Sequence, residues 1–369
     1  MTEDCESPTY PPDVDRFLRR LYDPGSRKWA CRATTPDTVR RWQAQARPEL
    51  CSLLGLDLMQ DQLAGHSPSV VLGKAQDCGD HTRQSCTIET EPDVQVPFWL
   101  LRPKDGGKLP LVITPHGHDR IGPDTSAGVA RNEKHAQVIE EEDRDVAVQA
   151  ARHGFLAIAP ATRGLARGCV TDLFGRFDGS DCTSHFMHGL LAGRSSIGER
   201  VWDMQRIIDW ASELEEVDSR DILMMGNSGG GVLTTFAAAC DTRIGIAMAS
   251  CSYSPFVGLN GKIQHHHCNA VPGIMAFGEF WDVAGLIAPR HFLAVHGRKD
   301  PLKATDEVDR AVEGLRVIYE TAEVGRHFRQ AYADGGHRFY SDLMWPFIGD
   351  AMEVREKLRQ HARESSRTP

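Results

Sequence analysis

One serine in the chain lies in a setting that suits nucleophilic catalysis. Residues 221–232 are typical of a buried apolar strand, followed by the pattern G-x-S-x-G around Ser228 and then a helix of small residues. A sharp turn between a strand and a helix projects a serine hydroxyl above a sheet, and Gly226 and Gly230 leave room for that turn. Ser228 is therefore the predicted nucleophile. The alternative is a glycine-rich turn that only joins a strand to a helix.

A carboxylate and an imidazole that could complete a catalytic triad follow the serine along the chain. Asp300 comes just after an apolar strand predicted at 291–296, and His337 lies in a glycine-flanked stretch after a strand predicted at 328–332. In such a triad the histidine accepts the serine proton, and the carboxylate fixes the histidine tautomer. Asp300 could instead only cap the next helix, which would leave Asp306 as the acid, and His337 could be an ordinary surface histidine.

Backbone N–H groups near the serine could stabilise the oxyanion of an acyl-transfer reaction. One donor is expected from the residue after the nucleophile, Gly229, and the other from His118, which follows the strand predicted at 109–114. Four further residues are candidate substrate contacts: His116, Asn227, Asn269 and Arg163. For Arg163, a salt bridge that braces a loop is an equal alternative.

The histidines also raise the question of a metal ion. His116 and His118 form an H-x-H pair without a third partner at a fitting spacing, and the adjacent histidines 265–267 should point in different directions. We therefore expect loop or pocket histidines, no metal site and no cofactor.

The order of the predicted elements indicates how these residues are positioned. Strands predicted between 69 and 114 lead into alternating strands and helices, which predicts an α/β fold with one mostly parallel sheet and helices on both faces. The first 65 residues are predicted to be a helical extension (1–65) to a catalytic domain (66–363). The extension could pack on that domain or form a contact between copies in a homo-oligomer.

Three segments are expected to lie over the site, and two of them, 119–139 and 165–195, are too long to be simple connections. Residues 119–139 and 165–195 are expected to fold over the site as loops or a partial lid, and residues 252–274 to cover the acyl pocket.

Composition narrows the classes of partner and the compartment. The 369-residue chain has a formal net charge of −9 and no long run of Lys and Arg, which argues against nucleic acid or an anionic membrane as partner. No stretch approaches the roughly 18 uninterrupted apolar residues of a membrane span. The ten cysteines are scattered and the N-terminus lacks signal-peptide features, so a cytoplasmic location is expected. A removed export signal would reverse that expectation.

Several longer stretches resemble one branch of the α/β-hydrolases, the acetyl xylan esterase-like and dienelactone-hydrolase-like bacterial proteins. The similarity spans roughly residues 70–350. The stretches are PHGH (115–118), GRSSIGERVWD (193–203), GNSGGG (226–231), CNAVPGI (268–274), DVAGLIAPR (282–290) and GGHRFY (335–340).

This resemblance implies an α/β-hydrolase fold and hydrolysis of carboxylic esters, with a small-molecule ester or an acetylated carbohydrate as substrate. The nucleophile, acid and base of the family fall on Ser228, Asp300 and His337. Dienelactone hydrolases use a cysteine nucleophile, so the serine argues against lactone specificity. Two alternatives remain: a peptidase of the prolyl-oligopeptidase kind, for which a propeller domain is missing, and a catalytically silent hydrolase fold that serves as a binding protein.

Overall fold

A nine-stranded sheet forms the centre of the computed structural model, which describes residues 14–104, 106–166 and 181–365. The strands are β1 (Ser69–Asp77), β2 (His81–Glu91), β3 (Val94–Pro103), β4 (Leu109–Ile113), β5 (Leu156–Pro160), β6 (Val217–Asn227), β7 (Ile244–Ser250), β8 (His291–Gly297) and β9 (Phe328–Ala333). Their order in the sheet is β1-β2-β3-β5-β4-β6-β7-β8-β9. β1, β2, β3 and β5 pair antiparallel, and all pairs from β5 to β9 are parallel. The predicted fold class is confirmed.

Helices cover both faces of this sheet. They are α1 (Val14–Leu21), α2 (Pro36–Leu54), α3 (Leu56–Gln62), α4 (Gly122–Ser126), α5 (Glu133–Glu141), α6 (Val146–Arg152), α7 (Asp181–Leu191), α8 (Ser196–Ser212), α9 (Gly229–Cys240), α10 (Ile274–Phe277), α11 (Phe280–Gly285), α12 (Thr305–Thr321) and α13 (Ser341–Ser365). Single turns of 3₁₀ helix occur at Pro24–Ser26, His267–Asn269 and Gly325–His327. Among the described helices, none has the length and apolar character to cross a membrane.

Strand β6 shows why the sheet is buried on both sides. Its side chains alternate between the faces, as the period of an extended strand requires. Ile222 and Met224 pack into the larger core, beneath α8 and α9, while Leu223 and Met225 pack into the smaller core, beneath α6 and α13. The stretch 222–225 is apolar at every position, and such a stretch is stable only between two covering layers. The sheet therefore exposes mainly the ends of its central strands, and the site lies at the carboxyl ends.

Helices α2 and α3 are part of the larger core. Thr35 caps α2 by accepting a hydrogen bond from the Thr38 N–H, and the helix ends at Gly55, whose φ of 82° suits glycine. Leu50 is fully buried in the larger core. The Gln43 side-chain amide donates to the Gly285 carbonyl at 2.9 Å. These contacts show that the extension packs on the sheet domain.

The segments that were expected to be loops contain helices. Residues 119–139, expected as loops or a partial lid, include α4 and most of α5, so much of this segment is helical. Within 165–195, residues 167–180 lie outside the described part of the chain, and α7 fills most of the remainder. Polar residues dominate α4 and α5, which weakened the apolar periodicity of these two helices in the sequence. Residues 252–274 are largely irregular and are tied by a bridge between Val257 and Ile263.

One edge of the sheet is open. Strand β1 pairs only with β2, and most of its residues are exposed, including Val71 (67%) and Leu72 (48%). The pairing register shifts between Leu72 and Ala75, which creates an irregularity in the middle of the strand at Gly73 and Lys74. Gly73 is required there because a Cβ would collide with the Ser85 carbonyl oxygen.

If α2 is an integral layer of the core, Leu50→Ala should lower the free energy of unfolding by about 2–5 kcal/mol, since it removes a fully buried side chain and leaves a cavity. Urea denaturation followed by tryptophan fluorescence would measure the change. Val317→Ala on α12 is the control, because its side chain is 53% exposed and should cost less than about 0.5 kcal/mol. Equal stabilities of the two variants would contradict an integral role for α2.

Candidate active site

Ser228 occupies a strained turn between β6 and α9. Its backbone adopts φ 56° and ψ −125°, a conformation that costs energy for any residue with a Cβ. A Cβ at Gly226 would collide with the Gly230 backbone, and a Cβ at Gly230 would collide with the Pro115 carbonyl oxygen. The glycines therefore allow three backbone segments to meet beneath the serine. This geometry agrees with the turn that the G-x-S-x-G pattern predicts.

Asp300 and His337 are paired at the ends of β8 and β9. The His337 Nδ1 lies 2.8 Å from the Asp300 Oδ2, and the Asp300 side chain is completely buried. Burial alone would raise the pKa of Asp300, but the hydrogen bonds from His337 and from the Leu302 N–H outweigh it and lower that pKa. Asp300 is thus an ionised partner for the imidazole. The alternative acid, Asp306, instead accepts a hydrogen bond from the Glu307 N–H at the start of α12.

A cavity of about 630 Å³ joins these groups. Ser228, His337, His118 and Gly229 all line it. The described residues contain no hydrogen bond of 3.5 Å or less between the Ser228 hydroxyl and the His337 ring. Such bonds are often long in unliganded hydrolases and shorten when substrate binds. The arrangement therefore brings the predicted nucleophile and the predicted base to one opening, with the predicted acid hydrogen-bonded to the base.

The two predicted oxyanion donors are also at this opening. A Cβ at Gly117 would lie only 3.0 Å from the Ser228 Cβ, so the loop after β4 packs directly on the serine turn. Among the described residues, the backbone N–H groups of His118 and Gly229 have no hydrogen-bond acceptor. Two free amide donors beside a nucleophile can stabilise a developing oxyanion.

The candidate substrate contacts differ in their surroundings. His116 lines the cavity, but its Nδ1 bonds the Gly117 carbonyl at 2.8 Å, and its Nε2 accepts from the Thr162 N–H at 2.9 Å. Its ring nitrogens therefore hold the loop and are not free for substrate. Asn269 also lines the cavity, and its Oδ1 accepts from Arg200 at 2.9 Å.

Asn227 and Lys303 both line the cavity, and they differ in how their polar atoms are paired. Within the described chain, the Asn227 Oδ1 is buried and has no hydrogen-bond partner. The Lys303 ammonium donates to Ser254 Oγ at 2.8 Å and to the Gln264 carbonyl, and burial lowers the pKa of Lys303 to about 8. Sequence reasoning missed Lys303, because a lysine between a turn and a helix is usually solvent-exposed.

Arg163 does not line the cavity, and the interpretation of this residue as a substrate contact is corrected. Its guanidinium is buried and forms ion pairs with Asp203, at 2.9 Å from Nε to Oδ2, and with Glu91. Its carbonyl accepts from the Arg200 Nε at 2.8 Å. The structure therefore supports the alternative of a salt bridge that braces a loop, since the guanidinium is already paired with two buried carboxylates.

Four side chains beside the cavity meet in what we call the His–Cys cluster: His118, Cys182, His266 and Cys268. Their nitrogen and sulfur atoms all lie within 4.8 Å of one another. The argument from sequence that the H-x-H pair has no further partner is therefore wrong for His118. The H-x-C spacing of His266 and Cys268 was a usable signal, whereas Cys182 comes from the distant helix α7.

The neighbouring histidines have other contacts, as expected for adjacent residues. His265 is directed inward and bonds the Ser254 carbonyl at 3.1 Å through Nε2. His267 pairs its Nε2 with the Thr183 Oγ1 at 2.9 Å. Only the middle histidine of the three joins the His–Cys cluster.

A further histidine, His296, is enclosed near the end of β8, four residues before Asp300. It is 1% exposed, and neither ring nitrogen has a hydrogen-bond partner among the described residues. Burial lowers the pKa of His296 to about 3. The ring is therefore neutral at neutral pH.

Known proteins resemble this chain in sequence. The sequence model of the family described as Acetyl xylan esterase (AXE1) matches residues 85–260. A protein described as a hydrolase, YtaP of Bacillus subtilis (strain 168), is 22% identical to this chain over 300 residues. The match covers 80% of this chain and 94% of that protein.

Solved structures share the fold. A protein described as an acetyl xylan esterase from Bacteroides fragilis NCTC 9343 aligns with a TM-score of 0.71 at 16% identity, over 94% of this chain and 96% of its own. Methylesterase BT1017 aligns with a TM-score of 0.65 at 20% identity, over 92% of this chain and 69% of its own. A glucuronoyl esterase from Solibacter usitatus aligns with a TM-score of 0.57 at 15% identity, over 81% and 89%. At these identities the likeness shows the fold.

The enclosed His296 generates a prediction about pH. Because its pKa is about 3 in the folded chain and about 6.5 when unfolded, unfolding takes up a proton between these values, and stability is lost as pH falls below 6.5. Between pH 7 and pH 5, the free energy of unfolding of the wild type should fall by about 2 kcal/mol more than that of His296→Met, which has no proton to bind. Urea unfolding at several pH values measures both, and parallel pH profiles would refute the expectation.

Proposed function

We propose that this chain, an α/β-hydrolase that acts on carboxylic esters, is a carbohydrate esterase that removes acetyl groups with Ser228 as nucleophile. The resemblance to acetyl xylan esterase-like proteins, which the sequence predicts, is confirmed by the family model that matches residues 85–260. The observation that carries the catalytic part is the 2.8 Å contact of His337 with Asp300, at the cavity that Ser228 also lines.

The proposed reaction has two halves, acylation of Ser228 and hydrolysis of the acyl-enzyme, and the same side chains act in both. His337 accepts the Ser228 proton as the hydroxyl oxygen attacks the ester carbonyl, and returns that proton to the departing alcohol. Asp300 holds the imidazole by Nδ1 and stabilises its protonated form. The His118 and Gly229 N–H groups stabilise the oxyanion of each tetrahedral intermediate. Water then attacks the acyl-enzyme by the same route in reverse.

Two observations support an alcohol half of carbohydrate size. The cavity of about 630 Å³ is much larger than an acetyl group requires, so most of it is available for the alcohol. Both the matching family model and the structure from Bacteroides fragilis carry the description acetyl xylan esterase. The silent-fold alternative is disfavoured by the intact pairing of His337 with Asp300. No observation favours the peptidase alternative.

A second candidate substrate is an ester of a sugar acid. Three basic residues, Arg144, Lys262 and Lys303, line the cavity and could donate hydrogen bonds to the hydroxyl and ring oxygens of such a sugar. Two structures of the same fold are described as a methylesterase and a glucuronoyl esterase. Both candidates are carbohydrate esters, but the sugar is the alcohol half in the first and the acyl half in the second.

Replacing the proposed nucleophile should abolish hydrolysis without unfolding the chain. Ser228→Ala is expected to reduce turnover of p-nitrophenyl acetate by roughly 10⁴-fold or more, because the attacking oxygen is missing. Ser252→Ala is the matched control, since it removes another hydroxyl that lines the same cavity, and it should lose less than about tenfold. Circular dichroism would verify folding. Substantial turnover by a folded Ser228→Ala protein would rule out this nucleophile.

A panel of esters separates the substrate candidates. Acetyl and propionyl p-nitrophenyl esters should be cleaved with a higher kcat/KM than the octanoyl ester, since segments 119–139 and 252–274 contribute residues that flank the cavity around Ser228. Acetylated xylo-oligosaccharide should be preferred over methyl glucuronate. The reverse order between those two sugars would select the second candidate, and a preference for octanoyl esters would exclude both.

A further inference from the structure

The His–Cys cluster is assembled from three separate segments of the chain. His118 belongs to the loop after β4, and Cys182 lies in the first turn of α7. His266 and Cys268 flank the start of the 3₁₀ turn His267–Asn269. Four side chains of metal-binding types therefore converge beside the cavity from positions up to 150 residues apart.

The distances between three of the cluster atoms are close to those between the ligand atoms around a tetrahedral zinc ion. The His118 Nε2 lies 3.1 Å from the His266 Nδ1 and 3.2 Å from the Cys268 Sγ, and the His266 Nδ1 lies 3.2 Å from the same sulfur. Zinc bonds of about 2.0–2.1 Å to nitrogen and 2.3 Å to sulfur give a tetrahedron with edges of roughly 3.3–3.8 Å. The observed triangle therefore needs only a few tenths of an ångström of expansion to surround zinc.

Hydrogen bonding alone does not account for this triangle. An imidazole nitrogen and a thiol each carry at most one proton, and a ring nitrogen presents it in one direction in the ring plane. The His118 Nε2 is close to both the His266 nitrogen and the Cys268 sulfur, so one proton cannot serve both contacts well. A cation at the centre would satisfy all of these lone pairs together.

We propose that these side chains form a structural zinc site, with the ligands His118, Cys182, His266 and Cys268. Two thiolates and two imidazoles are a donor set for zinc, whereas magnesium and calcium select oxygen ligands. Four protein ligands fill a tetrahedral shell and leave no position for substrate or water, which makes the ion a structural clamp. The two thiols bind as thiolates and release their protons to solvent.

The surroundings of the cluster suit such an ion. Cys268 is fully buried, while His118 and His266 are exposed, so an ion can enter from solvent and finish in an enclosed site. The fully buried guanidinium of Arg200 donates to the Cys268 carbonyl at 3.2 Å, which places a positive charge next to this thiolate ligand. The ion would fasten α7 and the 3₁₀ turn to the loop that carries the His118 N–H.

The first experiment measures metal in untagged, purified full-length protein. Mass spectrometry of the metal content should find one zinc per chain, or uptake of one zinc when Zn²⁺ alone is added after treatment with a chelator. Removal should lower Tm by at least about 5 °C, and added zinc should restore it. Cobalt in place of zinc should give the visible absorption of a tetrahedral thiolate complex. No zinc as purified and none taken up after addition would overturn the proposal.

Variants distinguish this site from adventitious binding. Cys182→Ser and His266→Ala should each lose the metal, whereas His267→Ala and Cys78→Ser should retain it. His267 is the matched control because it follows His266 and contacts Thr183 of the same helix α7 without joining the cluster. Equal zinc in all four variants, or a wild-type intact mass lower by two hydrogen atoms as for a disulfide, would overturn the proposal. Metal content and Tm are read without any substrate, so this test is independent of the proposed esterase activity.

Discussion

The structure depends above all on how closely three backbone segments approach one another beneath Ser228. The ends of β4 and β6 and the first turn of α9 meet at Gly117, Gly226 and Gly230, where any side chain would occupy space already filled by backbone. The positive φ of Ser228 is tolerated because the packing of these segments fixes the backbone conformation of the turn. Parallel pairing of β4 with β6 keeps both strand ends at one edge, so the same contact places a loop amide beside a serine hydroxyl.

A network of buried ion pairs and hydrogen bonds connects the segments behind the cavity. Arg163 joins the end of β5 to Asp203 of α8 and to Glu91 of β2, and its carbonyl in turn holds Arg200. Arg200 then holds Asn269 at the cavity wall. Such networks seldom add much net stability, because desolvation offsets the attraction between the charges. Removing one partner would leave the others buried without compensation, so the network specifies one arrangement of the wall.

The parts that could be predicted from the sequence are those set by local chemistry. The turn at Ser228 has a recognisable pattern because a strained backbone demands glycines at fixed offsets, and the central strands are continuous apolar runs. Asp300 could be selected because it follows a core strand, and the structure pairs it with His337. The acetyl xylan esterase-like resemblance was also confirmed. The catalytic roles of these residues and the division at residue 66 stay predictions.

The parts that could not be predicted depend on distant packing. Cys182 and His118 meet only because α7 folds onto the loop after β4, and no spacing rule connects residues so far apart. Arg163 was ambiguous for the same reason, since its partners lie on β2 and α8. Helices α4 and α5 were missed because short polar helices are stabilised by their contacts and not by a strong apolar stripe.

The irregular edge strand β1 has a consequence for behaviour at high concentration. An exposed strand with free N–H and C=O groups is a template on which another chain can add a strand, and Val71 and Leu72 would make that contact favourable. The interruption at Gly73 and Lys74 prevents a continuous ladder on that side, and the lysine brings a charge that an incoming strand would have to desolvate. The same irregularity is therefore expected to hinder edge-to-edge association of the protein.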